Sequence, residues 1–445
     1  MIFSDFHANI VIMEDQSLFE LDGKMPSLKK AVPIAAQHLV AMIVGCVTPA
    51  IIISATAGLD EKMSIVLIQS SLVLAAVSTL LQLFGVTRFC GSRLPVIIGV
   101  SFAYLSSMKG ICESFGLAYV FGAQLVGGIV AIVFGIFSKK IAKFFPPLIT
   151  GTVVFTIGLS LYPTAITYMA GGSGNPDFGS FQNWGIAIFT LIIVTLLNHY
   201  GKGMLKLASI LIGIICGYIV ALFFGMVDFS AIGRAAVIAP LKIVPFGIKF
   251  ELSSIVTISI LFVINSVQAI GDMSATTMGG MSREPSGDEI RGGIIGFGVS
   301  NVISALFGGL PNATYSQNVG IVSTTKVVNR KVLSLCGVFL LCAGLMPKFS
   351  ALLTTIPQCV LGGATVSVFA SIAMTGMKLV ATEEMNYRNT SIVGLSAALG
   401  MGVSLVKESL AQFPHWVTMV FGSSPVIIAA LVAIILNLIL PKNMK

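Results

Sequence analysis

Long apolar runs separated by short polar caps fill this chain from residue 30 onward. They lie at 30–54, 64–86, 94–107, 114–137, 146–165, 182–198, 207–228, 253–275, 291–306, 312–324, 331–346, 357–376, 390–406 and 423–441. Most approach the roughly 20 residues that a helix needs to cross about 30 Å of hydrocarbon. The pattern predicts an all-α polytopic membrane protein of fourteen segments. Two runs, 94–107 and 312–324, are too short to span as helix and are rich in Gly, Pro and Ser. Each is expected to join a short extended stretch to a half-helix. Reading both as re-entrant loops instead leaves twelve spans, and either count puts the two termini on one side.

The second break is the most informative stretch in the chain: residues 307–320 read FGGLPNATYSQNVG. Lipid cannot satisfy free backbone groups, so irregular chain at this depth must be enclosed by protein or line a cavity. In transporters such a break is where substrate sits. It has a partner upstream. Gly91-Ser92-Arg93-Leu94-Pro95 in the first half corresponds to Gly308-Gly309-Leu310-Pro311 in the second, and Pro146-Pro147 is echoed by Ile356-Pro357. Seven segments per copy is an odd number, so the second copy enters the membrane from the opposite face. The expected architecture is 7+7 inverted repeats.

Composition agrees with a membrane protein: 56% of the 445 residues are hydrophobic, 10% are charged, and mean hydropathy is +0.97. The seven Cys have no paired spacing, and His7, His38, His199 and His415 form no ligand cluster. No metal, disulfide framework or cofactor is therefore expected. The acidic N-terminus lacks the features of a signal peptide. The net charge of +8 does not point to nucleic acid, because the basic residues sit in short caps between apolar runs. With the termini inside, 19 of the 26 basic residues fall on the cytoplasmic side; Lys62, Lys109, Arg234, Lys242, Lys249, Lys348 and Lys407 fall outside. The positive-inside rule thus places both termini in the cytoplasm of a multi-pass protein of the cell membrane.

Candidate chemistry is confined to a few polar residues within the spans. Asp272 is an ionisable group near the end of the 253–275 run, which by default marks a pathway, relay or substrate contact; it could also cap the next turn. Gln268 lies one helical turn earlier on the same face. Its amide offers donor and acceptor edges to a planar heterocycle, or a helix–helix hydrogen bond. His38, in the first span, could bridge helices or take part in proton movement. Gln317 and Asn318 stand at the start of the second half-helix, whose N–H groups and dipole point toward the centre. Near the first break, Ser101, Phe102 and Tyr104 include aromatics able to stack on a flat ring. No nucleophile–base pair is visible, so an enzyme is not expected. A small planar polar solute fits these groups better than the ions of a channel. Transport is the primary reading; a receptor that binds without translocating is the competing class.

Residues Gln317-Asn318-Val319-Gly320-Ile321-Val322-Ser323-Thr324-Thr325-Lys326 complete the signature of the nucleobase–ascorbate transporter family, and the chain resembles that family from about Lys30 to its last span. Supporting motifs are Gln37-His38, Ser101-Phe102, Phe145-Pro146-Pro147 and Gly271-Asp272. The resemblance implies a substrate-holding core domain (30–137 and 250–346) and a gate domain (138–249 and 347–441), flanked by tails at 1–29 and 442–445. It also implies a homodimer embedded in lipid and coupled to protons. By family pattern, Gln317 selects purines such as xanthine or urate and Phe102 stacks on the base. Asn318 supports the site; Ser101 and Tyr315 adjoin it; Asp272 and His38 match important positions. Uracil, another heterocycle or an organic anion is the alternative cargo, and a proton-independent facilitator or exchanger the alternative mode. Two departures stand out. Gln268 replaces a Glu that grips substrate in the family, and Phe297, in Gly296-Phe297-Gly298, replaces a second acid.

Overall fold

A computed structural model describes residues 16–138, 146–422 and 424–441. The outer parts of the expected tails (1–15 and 442–445), Lys139, Lys140, Lys143 and Phe145 lie outside the described residues. The fold is built from helices α1 (Leu28–Thr56), α2 (Glu61–Phe84), α3 (Leu105–Ser114), α4 (Leu117–Ile136), α5 (Pro147–Met169), α6 (Phe181–Tyr200), α7 (Ser209–Phe223) and α8 (Leu252–Met281). It continues through α9 (Gly287–Leu306), α10 (Ser316–Thr325), α11 (Arg330–Gly344), α12 (Pro347–Thr354), α13 (Gln358–Val380), α14 (Tyr387–Leu405), α15 (His415–Gly422) and α16 (Pro425–Ile439). Two three-residue strands, β1 (Ile98–Val100) and β2 (Asn312–Thr314), precede α3 and α10.

Seven of these helices (α1, α2, α4, α5, α6, α8 and α13) are long and apolar enough to cross a membrane. The pair α11 and α12 passes the same test but bends by 80° at the break between them, and α7 and α16 are shorter apolar helices. Local sequence accounts for several ends. Asp60 caps α2 by accepting from the Met63 N–H at 2.7 Å, and Ser286 with Glu289 forms a capping box at α9. Pro147, Pro347 and Pro425 occupy first-turn positions, where the missing N–H costs nothing.

One boundary differs from the sequence expectation. The first half-helix does not stop at residue 107 but runs through Lys109 and Glu113 to Ser114. Charged side chains there resemble a loop in a hydropathy profile. Lys109 is held within the fold, however, where its Nζ donates to Thr164 Oγ1 at 3.4 Å.

The helices pack as two groups. In the first, α4 lies against α8 and α9, α2 against α11, α1 and α9, and α10 against α8 and α1. In the second, α5 packs on α13 more extensively than any other pair, α6 and α7 join α13, and α14 packs with α16 on α5. The α5–α13 crossing depends on glycine: a Cβ at Gly158 would sit 2.3 Å from the Ala373 nitrogen, and one at Gly376 2.1 Å from the Phe155 nitrogen. Small residues at such crossings let backbones approach in the absence of a strong hydrophobic drive.

β1 and β2 cross inside the first group as an antiparallel pair, with Ile98 opposite Thr314, Gly99 opposite Ala313 and Val100 opposite Asn312. Side chains on neighbouring helices satisfy the outer edges of this two-stranded sheet. Thr79 of α2 donates to the Ile98 carbonyl at 2.8 Å and accepts from its N–H at 3.1 Å. Asn301 of α9 accepts from the Asn312 N–H at 2.8 Å and donates to the Asn312 carbonyl at 3.3 Å. The irregular chain before β2 is served by Ser304 and Gln124, which both donate to the Gly309 carbonyl. Before β1, Gln82 accepts from the Ser92 N–H and donates to the Gly293 carbonyl, each at 2.7 Å. Buried amides and hydroxyls thus supply the partners that lipid could not.

Candidate functional site

The two strands deliver the ends of both half-helices to one place. A 3-10 turn over Phe102–Tyr104, capped by the Ser101 hydroxyl accepting from the Ala103 N–H at 3.2 Å, leads into α3. Tyr315 leads directly into α10. The first N–H groups of a helix have no intrahelical acceptor and carry its positive end. Between these two starts lies a cavity of about 340 Å³, within the usual size of a small-molecule site.

Five of the residues expected at the site line this cavity: Ser101, Phe102, Gln268, Tyr315 and Gln317. Phe102 is buried, with its ring edge-on to Phe369 at 5.0 Å between centroids. Gln317 is exposed and Gln268 half-buried, and both line the cavity. Tyr315 contributes its ring rather than its hydroxyl, which donates to the Val100 carbonyl at 2.6 Å and lies 3.5 Å from Cys46 Sγ.

The remaining three stand behind the cavity wall. Asp272 is buried in α8; Thr314 donates to one carboxylate oxygen and Ser316 to the other, the latter at 2.7 Å. The Gln268 side chain reaches the same carboxylate. Thr314 and Ser316 themselves line the cavity, so Asp272 is one bond removed from it. Asn318 is turned away. Its amide donates to the His38 carbonyl at 3.0 Å and lies 3.0 Å from His38 Nδ1, joining α10 to α1. Phe297, the second departure from the family pattern, is fully buried and packs on Phe262 at 5.5 Å between centroids.

The opposite wall belongs to the second helix group: Val154 and Ile157 from α5, and Ser371, Ile372 and Thr375 from α13. None of these was singled out in the sequence. The one available signal was the pair Ser371 and Thr375, two hydroxyls one turn apart in an apolar span. Both groups of helices therefore contribute to the cavity.

The family model Xan_ur_permease, a permease family, matches residues 29–409. The chain belongs to this family, the nucleobase–ascorbate transporters. The permease is 33% identical to the xanthine permease of Bacillus subtilis, over 92% of this chain and 93% of that one. It is 32% identical to the uric acid permease PucK of the same organism, over 91% and 94%, and 32% identical to the xanthine permease XanQ of Escherichia coli, over 96% and 94%. Among solved structures, the permease shares its fold with the transmembrane domain of the cyanobacterial bicarbonate transporter BicA, at a TM-score of 0.58 and 15% identity over 93% of this chain and 98% of that one. Murine Slc26a9, an anion transporter, matches at a TM-score of 0.61 and 11% identity over 92% and 68%. The permease is a multi-span membrane transporter, not an enzyme.

Proposed function

We propose that this permease carries a purine nucleobase, xanthine, urate or a close relative, across the cell membrane by proton symport. The observation that carries the reading is the convergence of Gln317, Gln268 and Phe102 on one cavity between two helix groups. Phe102 offers a stacking face. The two amides each offer a donor and an acceptor, which match the alternating N–H and C=O groups around an oxidised purine. Relatives along nearly the whole chain are xanthine and uric acid permeases. In this reading the first helix group holds the core (30–137 and 250–346) and the second most of the gate (138–249 and 347–441), with Ser230–Lys249 and α12 packed on the first group. The fourteen segments form two inverted sevens, both termini are cytoplasmic, and two copies assemble as a homodimer. Alternating access is elevator-like: the core carries its cavity past the gate. The cavity's division between the two groups is what such motion requires, since sliding one wall past the other opens and closes it.

Asp272 couples the proton in this scheme, because its two hydroxyl partners line the cavity. Accumulation of labelled xanthine in proteoliposomes is expected to rise several-fold when the outside is acidic, and to lose that rise in Asp272→Asn. Equal accumulation with and without the gradient, unchanged in the Asn variant, would instead mean exchange or facilitated diffusion.

Gln268 is the chain's own adjustment of base preference. An ionised Glu there would accept hydrogen bonds but donate none. Gln268→Glu is expected to shift competition among xanthine, urate, uracil and adenine by about tenfold, the ratio that one net hydrogen bond of about 1.4 kcal/mol sets. An unaltered competition profile removes Gln268 from the site.

A further inference from the structure

The two half-helices face the second helix group very differently. The turn before α3 and the first half of α3 are bonded to it at three points. The Phe102 ring meets Phe369 of α13 at 5.0 Å and 78°. One turn on, Ser107 Oγ donates to Ser424 Oγ at 2.9 Å, just before α16, and both serines are buried. Lys109 Nζ then reaches Thr164 of α5. α10 instead bonds back into its own group, through Asn318 to His38 and Ser323 to the Ala275 carbonyl. Its cavity-lining residue Gln317 is exposed, and Ser316 beside it is half-buried. The cavity is therefore shut on the α3 side and open on the α10 side.

Charge gives these sides a direction. α10 ends at Lys326, next to Arg330 and Lys331, among the basic caps that the positive-inside rule assigns to the cytoplasm. α3 leads to the opposite face.

We infer that the structure holds the cytoplasm-open state, and that α3 is its outer seal, made by Ser107 against Ser424 and by Phe369, which positions the Phe102 ring. The inference rests on the transport reading and its membrane orientation. Phe369 is fully buried and does not line the cavity. It acts through Phe102, which lines the cavity and whose ring it holds against the gate. Opening to the outside must break these contacts and the Lys109–Thr164 hydrogen bond. The cost is small, since a neutral hydrogen bond, an aromatic pair and a long Lys–hydroxyl hydrogen bond are each individually weak. A seal this weak can be made and broken in each cycle.

The test uses the full-length permease with Ser107→Cys and Ser424→Cys combined, oxidised in membranes, with each single variant as control for the seven native thiols. Cross-linking is expected to lower xanthine uptake at least tenfold, to leave xanthine binding to the solubilised protein within twofold, and to be reversed by dithiothreitol. Uptake at the wild-type rate with the bridge intact overturns the proposal. A second arm needs no substrate and so decides the seal even if the permease moves something other than purines. In Gln317→Cys, a membrane-impermeant maleimide is expected to label inside-out vesicles at least fivefold faster than right-side-out ones. Adding Phe369→Ala is expected to raise outside labelling severalfold. Faster labelling from the outside, or no response to Phe369→Ala, overturns it.

Discussion

Asp272→Leu is expected to abolish transport and to lower thermal stability, whereas Asp272→Asn retains most of the stability. Leucine has nearly the right volume but strands the hydroxyls of Thr314 and Ser316, both now bonded to the carboxylate. Hydrogen bonds to a charged group contribute roughly 1.5–3 kcal/mol each, and a buried orphan costs about as much as the bond it lost. Losing two at once removes about 3–6 kcal/mol from the junction of α8, β2 and α10. Asparagine keeps one oxygen, and a hydroxyl can rotate to accept from its amide. Uptake in whole cells, with expression level and melting temperature of the purified protein, separates the cases. If Leu and Asn melt alike, the carboxylate is not a keystone of the crossing.

Gly99→Ala is expected to damage the site without touching any solute. A Cβ at Gly99 would fall 2.6 Å from Cys46 Sγ, 2.8 Å from Tyr315 Cε2 and 3.1 Å from Met42 Cε. Those atoms belong to three fully or nearly buried side chains, so none can swing into open space. Overpacking of this kind costs about 1–3 kcal/mol. The displaced group would be Tyr315, whose hydroxyl ties β2 to the Val100 carbonyl of β1. The expected result is a lower melting temperature together with weaker xanthine binding, and partial recovery of both in Gly99→Ala with Cys46→Ala. Recovery requires Cys46 to be one of the two closest obstructions. A double variant no better than the single one would place the strain on Tyr315 alone.

The site was legible where polarity contradicted depth. Residues 307–320 stood out because glycine, proline and amides interrupt apolar sequence, and the 91–104 region because it repeats that interruption. The same signal exposed Gln268 and Asp272. Their separate roles were not visible. A helical pair of polar residues reads alike whether it lines a cavity, as Gln268 does, or meets two hydroxyls on another segment, as Asp272 does. Asn318 illustrates the same limit, since an amide in the family signature turns out to hold His38.

The second wall was hidden for a different reason. Val154, Ile157 and Ile372 are apolar residues of apolar helices, and nothing local separates one facing a cavity from one facing lipid. Only packing across the two groups reveals them. The α3 boundary was missed because Lys109 and Glu113 resemble a loop until tertiary partners are known. Between α7 and α8 the chain runs through residues 224–251.

That connection makes its own bonds. The short helix Ser230–Arg234 lays Ala231 against Ile65 of α2 and Ala351 of α12, and Arg234 pairs with Glu61. Farther on, the Gln69 side chain donates to the Ala239 carbonyl at 2.7 Å, and the backbone N–H groups of Val244 and Lys249 donate to the carbonyls of Leu306 and Ala118 at 2.8 and 3.0 Å. Almost the whole linker is thus fastened to the first helix group before α8 begins. Between the end of α7 at Phe223 and the start of that short helix at Ser230, residues 224–229 lie outside any helix. Six residues fully extended reach about 20 Å. This leash caps the distance that the end of α7 can separate from its anchor, whatever drives the motion, and shortening it by two residues would lower the cap by about 7 Å.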